Sequence, residues 1–229
     1  MTGPRVKLDI DGTRDTLGAL GLSYAAEALD ALLAEAVQAE MPAHMFLNRL
    51  LEAERSGREE RRVRTMLKSA KIPTGQTLEN FDFAFQPAIE RSRIDTLATG
   101  AWIRNAEVIL MQGPPGVGKS HLLCGLGIRA IQLGFSVQYF RFDELLTALR
   151  ADAHLPPARL KSRKYMSSAL LLVDEMGYDP MNREDASLFF RLVSYRYGRG
   201  AMVKMLDQKS PKVLAQNSPP FGLGDQPCI

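Results

Sequence analysis

Glu107-Val-Ile-Leu-Met-Gln-Gly-Pro-Pro-Gly-Val-Gly-Lys-Ser120 decides the fold. Glu107 to Gln112 is a short apolar run that reads as a strand. Lys119 to Leu133 reads as a helix, stopped by Gly134. Between them, Gly113 to Ser120 fits G-x-x-x-x-G-K-[ST], the phosphate-binding loop, in the strand–loop–helix setting that the motif demands. Glycines let backbone N–H groups converge on phosphate oxygens without Cβ clashes. The following helix aims its positive end at the same anion. The expected nucleotide contacts are Gly113, Pro114, Pro115, Gly116, Val117, Gly118, Lys119 and Ser120, with His121 next along the helix. Lys119 should reach the β- and γ-phosphates, and Ser120 should ligate Mg2+. The bland alternative, a glycine-rich turn, does not explain the flanking strand and helix.

The second signal is Leu170-Leu-Leu-Val-Asp-Glu175, an apolar strand ending in two carboxylates. Asp174 suits the magnesium shell, as a Walker B carboxylate does. Glu175 suits a general base that polarises the attacking water. Alone, the pair would read as solvated acids at a strand end. Its place about 55 residues after the phosphate loop favours the catalytic reading.

Further strand–helix units surround these two. Ser136 to Phe142 reads as a strand and Asp143 to Ala153 as a helix. Lys161 to Ser168 is basic and helical, Ala169 to Asp174 is a strand, and Glu184 to Tyr197 is a helix. The alternation argues for a parallel sheet covered by helices. Upstream, Thr13 to Ala70 is helical, with Leu17, Leu20, Leu29, Leu32 and Leu33 near helical spacing and a break at Met41-Pro42. A connector follows, with an extended piece at Leu78 to Phe85 and a helix from Ala88 to Thr99. The expected division is a helical domain over 1–71, a P-loop core over 72–203 and an irregular, proline-rich tail over 204–229. Ala201 to Leu206 could open a fourth strand.

Three basic patches are candidates for phosphate contact. They are Arg55, Arg58, Arg61, Arg62, Arg64, Lys68 and Lys71; Arg159, Lys161, Arg163 and Lys164; and Arg191, Arg196 and Arg199 with Tyr195 and Tyr197 interleaved. Each also reads as an ordinary solvated face or a packing surface. Phe81, Phe83 and Phe85 read first as core and second as a wall for an adenine ring. Cys124 reads as a small packing residue.

Composition bounds the rest. With 229 residues, 45% hydrophobic and 24% charged, the chain can bury a core without disulfides. Its net charge of +3 permits an anionic partner without demanding one. Two distant cysteines, Cys124 and Cys228, exclude a disulfide framework and suit a reducing compartment. No secretory h-region stands in Met1 to Gly12, and no apolar run is long enough to span a membrane. A cytoplasmic protein with no membrane partner is expected.

The motifs resemble one family closely. Leu78-Glu-Asn-Phe-Asp-Phe83, Met111 to Leu122, Leu171-Leu-Val-Asp-Glu-Met-Gly-Tyr-Asp-Pro180, Arg183 to Ser194 and Tyr195-Arg-Tyr-Gly-Arg-Gly200 are similar to the IstB-type helper ATPases of insertion-sequence transposition. These belong to the AAA+ class and are similar in turn to DnaC-type helicase loaders. The resemblance implies an α/β fold: a P-loop AAA+ type parallel sheet core in three α/β/α layers, behind a small helical domain. It implies an ATPase with ATP and Mg2+ as cofactors, Lys119 and Glu175 as catalytic residues, and Ser120 and Asp174 at the metal. It also implies a homo-oligomer that binds and bends double-stranded DNA and engages the transposase of the same element.

After Val203 the sequence departs from that pattern. The family continues with a sensor-1 strand, a helix and a segment whose Arg is thought to reach a neighbouring ATP. Lys204 to Ile229 matches none of this securely. A reading frame altered or prematurely ended near residue 204, a core incomplete at its C-terminal end and slowed hydrolysis are therefore expected. Three alternatives stay open: a DnaC-like helicase loader, which its partner would reveal; a non-catalytic nucleotide-binding remnant; and, with no lid or acceptor pocket to support it, a small-molecule P-loop kinase, which turnover with candidate acceptors would reveal.

Overall fold

The computed structural model describes residues 9–87, 89–176 and 181–207. They form two compact units, one ending at Thr65 and one beginning at Met66. The sequence expectation put this boundary at residue 71.

The first unit is helical. Its elements are α1 (Ile10–Ala19), α2 (Ser23–Gln38) and most of α3 (Ala43–Ala70). Pro42 separates α2 from α3, as its ring requires. Ala25, Leu29 and Leu50 are buried, with Leu17, Leu22, Leu32, Leu33 and Phe46 packed around them. Glu54, buried on α3, accepts a hydrogen bond at 2.9 Å from the N–H of Ala25, one of the donors that the first turn of α2 leaves unpaired. A Cβ on Gly57 would lie 2.2 Å from Cγ of Tyr24, so glycine is what lets α3 pass that ring.

The second unit contains the sheet. Along the chain come α4 (Arg91–Ala98), α5 (Ala101–Arg104), β1 (Val108–Gly113), α6 (Lys119–Gln132), β2 (Val137–Arg141) and α7 (Phe142–Asp152). Then follow α8 (Pro157–Lys161), α9 (Lys164–Ser167), β3 (Leu170–Met176), α10 (Arg183–Arg196) and β4 (Ala201–Asp207). The strands pair in the order β1-β4-β3-β2, every pair parallel. Leu170, Leu171, Leu172 and Val173 of β3 are all fully buried, as a central parallel strand must be. Leu172 faces α6, where a Cβ on Gly127 would meet its Cδ1 at 2.4 Å. Leu171 and Val173 face the other way, into Phe142, Leu145 and Leu149 of α7 and Phe189 and Leu192 of α10. Helices therefore cover both faces, giving three layers. Each buried leucine contributes roughly 1.5–3 kcal/mol. Arg150 of α7 grips Asp185 of α10 with two hydrogen bonds of 2.6 Å.

Several elements differ from the sequence expectation. Lys204 does not open an irregular tail: β4 runs through Asp207, because Met202, Val203 and Met205 are buried between β1 and β3. The expected tail beyond Asp207, and Gly177 to Pro180 of the resembling motif, lie outside the described residues. Leu78 to Phe85 forms turns rather than an extended piece. Asn80 accepts from the N–H of Thr77, and Asp82 accepts from the N–H of Ala84, bending the chain locally. The expected helix over Lys161 to Ser168 is two short ones. The break comes where the Ser162 hydroxyl donates to the Arg159 carbonyl and Arg163 reaches Asp152 at 2.6 Å. β3 extends through Met176, and α4 starts at Arg91.

Arg196 corrects the third basic patch. It is 2% exposed and cannot meet a phosphate. Its guanidinium donates to the carbonyls of Tyr165 (3.1 Å), Met166 (3.2 Å) and Ala201 (2.7 Å), tying α9 to the start of β4. Burial pulls its pKa down to about 10. Arg196→Met should fill the volume but orphan those carbonyls, costing about 3 kcal/mol in urea unfolding. A cost below about 1 kcal/mol would show that the ties are dispensable.

Candidate nucleotide site

All four strands run the same way, so the loops at their C-terminal ends share one edge. Gly113 closes β1, and Asp174 and Glu175 lie near the end of β3. The loop between β1 and α6 needs its glycines: Gly116 and Gly118 sit at φ +82° and +87°, in the left-handed region. Gly118 has a second reason to lack a side chain, since a Cβ there would lie 2.7 Å from Cε2 of Phe81. Pro114, Pro115 and Gly116 are exposed, Val117 and Gly118 are partly covered, and Gly113 is buried. Lys119 is buried too, and its Nζ donates to the carbonyls of Gly113 (3.0 Å) and Pro114 (2.7 Å). The lysine thus folds back over the loop and holds it in a tight curl.

Ser120 and Asp174 come together, as the sequence predicts. The Ser120 hydroxyl points at Oδ1 of Asp174 across 3.4 Å and lies 3.6 Å from the sulfur of Met205. Asp174 is 3% exposed, and its oxygens have assigned donors. Oδ1 also accepts from the N–H of Glu175 at 2.8 Å, and Oδ2 accepts from the hydroxyl of Tyr139 at 2.9 Å. Burial, reinforced by the charge of Asp174, pushes the Tyr139 phenol well above its ordinary pKa, so it stays an O–H donor. Cys124, fully buried one turn into α6, is pushed up to about 12 by burial and then by Asp174; it is an inert thiol.

Glu175 is set apart from Asp174 by a bulge. The pairing of β3 with β4 shifts between Val173 and Met176, and Glu175 takes φ +57°, a costly value for a residue with a Cβ. Its half-exposed carboxylate meets Nη2 of Arg141, the last residue of β2, at 2.5 Å. Arg141 stands opposite Asp174 in the β2–β3 register and also lies 3.7 Å from Asp143.

His121 turns to the connector. Its Nε2 lies 2.8 Å from both the Thr77 carbonyl and Oδ1 of Asn80, and its ring meets the buried Phe81 edge-on at 5.2 Å. Phe81 packs at 4.9 Å on Phe83, which carries the Arg91 guanidinium over its ring, while Phe85 is exposed. Phe81 therefore fits the core reading. Tyr139, Arg141 and the His121–Thr77–Asn80 link were not legible as site residues. The period of two puts Tyr139 and Arg141 on one face of β2, but only the pairing with β3 shows that this face meets the acids.

The basic patches divide. In the first, Arg55, Arg58 and Arg62 pair with Glu52, Glu54 and Glu59, as a solvated face would. Arg61 and Arg64 are exposed and make no ion pair among the described residues. In the second, Arg163 is tied to Asp152 and Lys164 donates to Ser69, leaving Arg159 and Lys161 exposed. In the third, Arg199 lies over Tyr195 at 5.1 Å, and Arg191 is exposed. Among the described residues, no group of three or more His, Cys, Asp or Glu could hold a metal by itself, and no helix is long and apolar enough to cross a membrane.

A three-layer parallel core with this loop after β1 and this acidic pair on β3 is an α/β fold of the P-loop AAA+ type. The chain belongs to the IstB-like ATP binding protein family, whose model matches residues 15–213, well past Val203. It is 36% identical over 187 residues to the insertion sequence IS21 putative ATP-binding protein of Pseudomonas aeruginosa, covering 82% of this chain and 71% of that one. It is 34% identical over 158 residues to the insertion sequence IS5376 putative ATP-binding protein of Geobacillus stearothermophilus, covering 69% of this chain and 63% of that one. Among solved structures, a DNA replication initiation factor superposes with a TM-score of 0.51 at 20% identity, over 60% of this chain and 43% of that one. That last likeness is one of fold.

Gly118→Ala should strain the positive φ and press on Phe81, lowering stability by about 2 kcal/mol in thermal or urea unfolding. Adding Phe81→Ala should remove the steric part and leave the backbone part. Unchanged stability in the single variant would contradict the close approach.

Proposed function

We propose that this chain is an ATP-binding helper of DNA transposition, in which ATP binding and hydrolysis govern binding to double-stranded DNA and recruitment of the element's transposase. We also propose that it acts as a homo-oligomer. The observation that carries the reading is the convergence of the phosphate loop, Ser120 and Asp174 at one sheet edge in a chain of the IstB-like family.

Each residue has a role in this reading. The N–H groups of the Gly113 to Ser120 loop cradle the phosphates, and the positive end of α6 faces them. Lys119 exchanges its two loop carbonyls for phosphate oxygens. Ser120 and Asp174 hold Mg2+. They fit it: both would offer hard oxygens, 3.4 Å apart at the same sheet edge. When bound, Mg2+ supplies charge neutralisation across the phosphates. Glu175 orients and deprotonates water once its carboxylate leaves Arg141. Arg61, Arg64, Lys68, Lys71, Arg159, Lys161 and Arg191 are among the exposed cations available for DNA phosphates.

Lys119→Ala should weaken ATP binding about 100-fold, the value of losing charge-assisted hydrogen bonds to phosphate. Calorimetric titration reads this directly, and an unchanged affinity would remove the loop assignment. Glu175→Gln should bind ATP within about threefold of wild type but hydrolyse it roughly 10²–10⁴ times more slowly. A large loss of affinity in that variant would count against a base. For the DNA step, filter binding of labelled duplex across a salt series should show salt-sensitive binding that is stronger with ATP than with ADP. Binding indifferent to nucleotide would overturn the coupling.

A further inference from the structure

β2 carries two side chains toward the acidic pair. Tyr139 and Arg141 are two residues apart on one strand, so they leave it on the same face. Arg141 takes Glu175, and Tyr139 takes Asp174. Of the two contacts, the tyrosine's is buried: Tyr139 is 8% exposed and Asp174 3%.

The geometry constrains Asp174 closely. A carboxylate can rotate about its last bond, exchanging its two oxygens. Here Oδ2 is occupied by the Tyr139 hydroxyl at 2.9 Å, and Oδ1 is left with the N–H of Glu175 and the Ser120 hydroxyl. The oxygen facing Ser120 is therefore the one Tyr139 does not hold. Without the phenol, Oδ2 would be a buried acceptor lacking this donor, and the carboxylate would keep only the Glu175 N–H on Oδ1 and lose the side-chain contact that helps set its rotation. The ring itself packs in the core and needs no hydroxyl to do so.

We infer that Tyr139 is a positioning residue for the metal: its hydroxyl orients the Asp174 carboxylate so that Oδ1 faces Ser120 and the Mg2+ that accompanies nucleotide. This rests on the nucleotide and Mg2+ reading of the site. Tyr139 touches neither nucleotide nor metal; it acts through Asp174. Partners that orient a metal-binding side chain typically matter by about 10- to 100-fold in metal affinity. The expected effect therefore falls on Mg2+ and not on the nucleotide alone.

The test is a titration of fluorescent ADP into wild type and Tyr139→Phe, first in EDTA and then at increasing Mg2+. In EDTA the two proteins should bind ADP alike, because the loop and Lys119 are untouched. The Mg2+ concentration that half-saturates the ADP complex should rise at least about 10-fold in Tyr139→Phe. In an Asp174→Ala background, adding Tyr139→Phe should change nothing further. An unaltered Mg2+ midpoint would overturn the inference, as would an equal loss in EDTA, which marks a merely structural role. Should Tyr139→Phe not fold, the wild-type chain with 13C in its tyrosine rings carries the test. One of the six tyrosine signals should move when Mg2+ is added to the ADP complex, and no movement would overturn the inference. Wild type that binds ADP without any Mg2+ effect would overturn this inference and leave the nucleotide reading standing. Wild type that binds no ADP would overturn both.

Discussion

The site depends on the strand that lies between its two halves. β4 lies between β1 and β3, pairing Val108 to Gly113 on one side and the Leu170 to Met176 strand on the other. Pairing with it sets the phosphate loop and Asp174 at one edge, with the Ser120 hydroxyl 3.4 Å from Asp174. In a parallel sheet the connections are long, so nothing local in the chain joins the loop to the acids. The burial of Ala201, Met202, Val203 and Met205 supplies the adhesion, and Met205 lies against Ser120 itself. The buried Arg196 fixes where β4 begins, because its guanidinium binds the Ala201 carbonyl.

The loop is prepared from two further sides. Lys119 pulls the loop's own carbonyls inward, so the lysine is already buried and near the position that an anion would take. Phe81 closes on Gly118, Leu78 on Gly125, and His121 anchors Thr77 and Asn80. The connector and the first turns of α6 therefore form one packed piece. The acids are held differently from one another: Asp174 is enclosed and aimed, while Glu175 sits on a strained bulge with its charge against Arg141. A buried, fixed carboxylate suits a lasting metal contact. A half-exposed one on an ion pair suits a group that changes partners.

Much of this was legible in the sequence because its signals are local. The phosphate loop is a contiguous pattern, and the apolar run ending in Asp174-Glu175 reads as a buried strand wherever it sits. What escaped depends on pairing across the sheet. That Tyr139 and Arg141 face Asp174 and Glu175 follows from the β2–β3 register, which no single stretch of chain encodes. Arg196 resembled its exposed neighbours Arg191 and Arg199, since composition does not reveal which face of a helix is inward. β4 was legible as the possible fourth strand over Ala201 to Leu206, from its apolar Met-Val-x-Met pattern; what the proline-rich composition after it obscured is that the strand runs on past Lys204 to Asp207. The turns over Leu78 to Phe85 come from Asn80 and Asp82 side chains closing on nearby N–H groups. That local bonding prevailed over the alternating phenylalanines.

The most direct measurement is a crystal structure of the chain with Mg2+ and a non-hydrolysable ATP analogue. The account predicts the β-phosphate inside the Gly113 to Ser120 curl, Lys119 turned from its loop carbonyls onto phosphate, and the cation about 2.1 Å from the Ser120 oxygen with Asp174 facing it. Nucleotide bound elsewhere, or a cation with Asp174 turned away from it, would contradict the account.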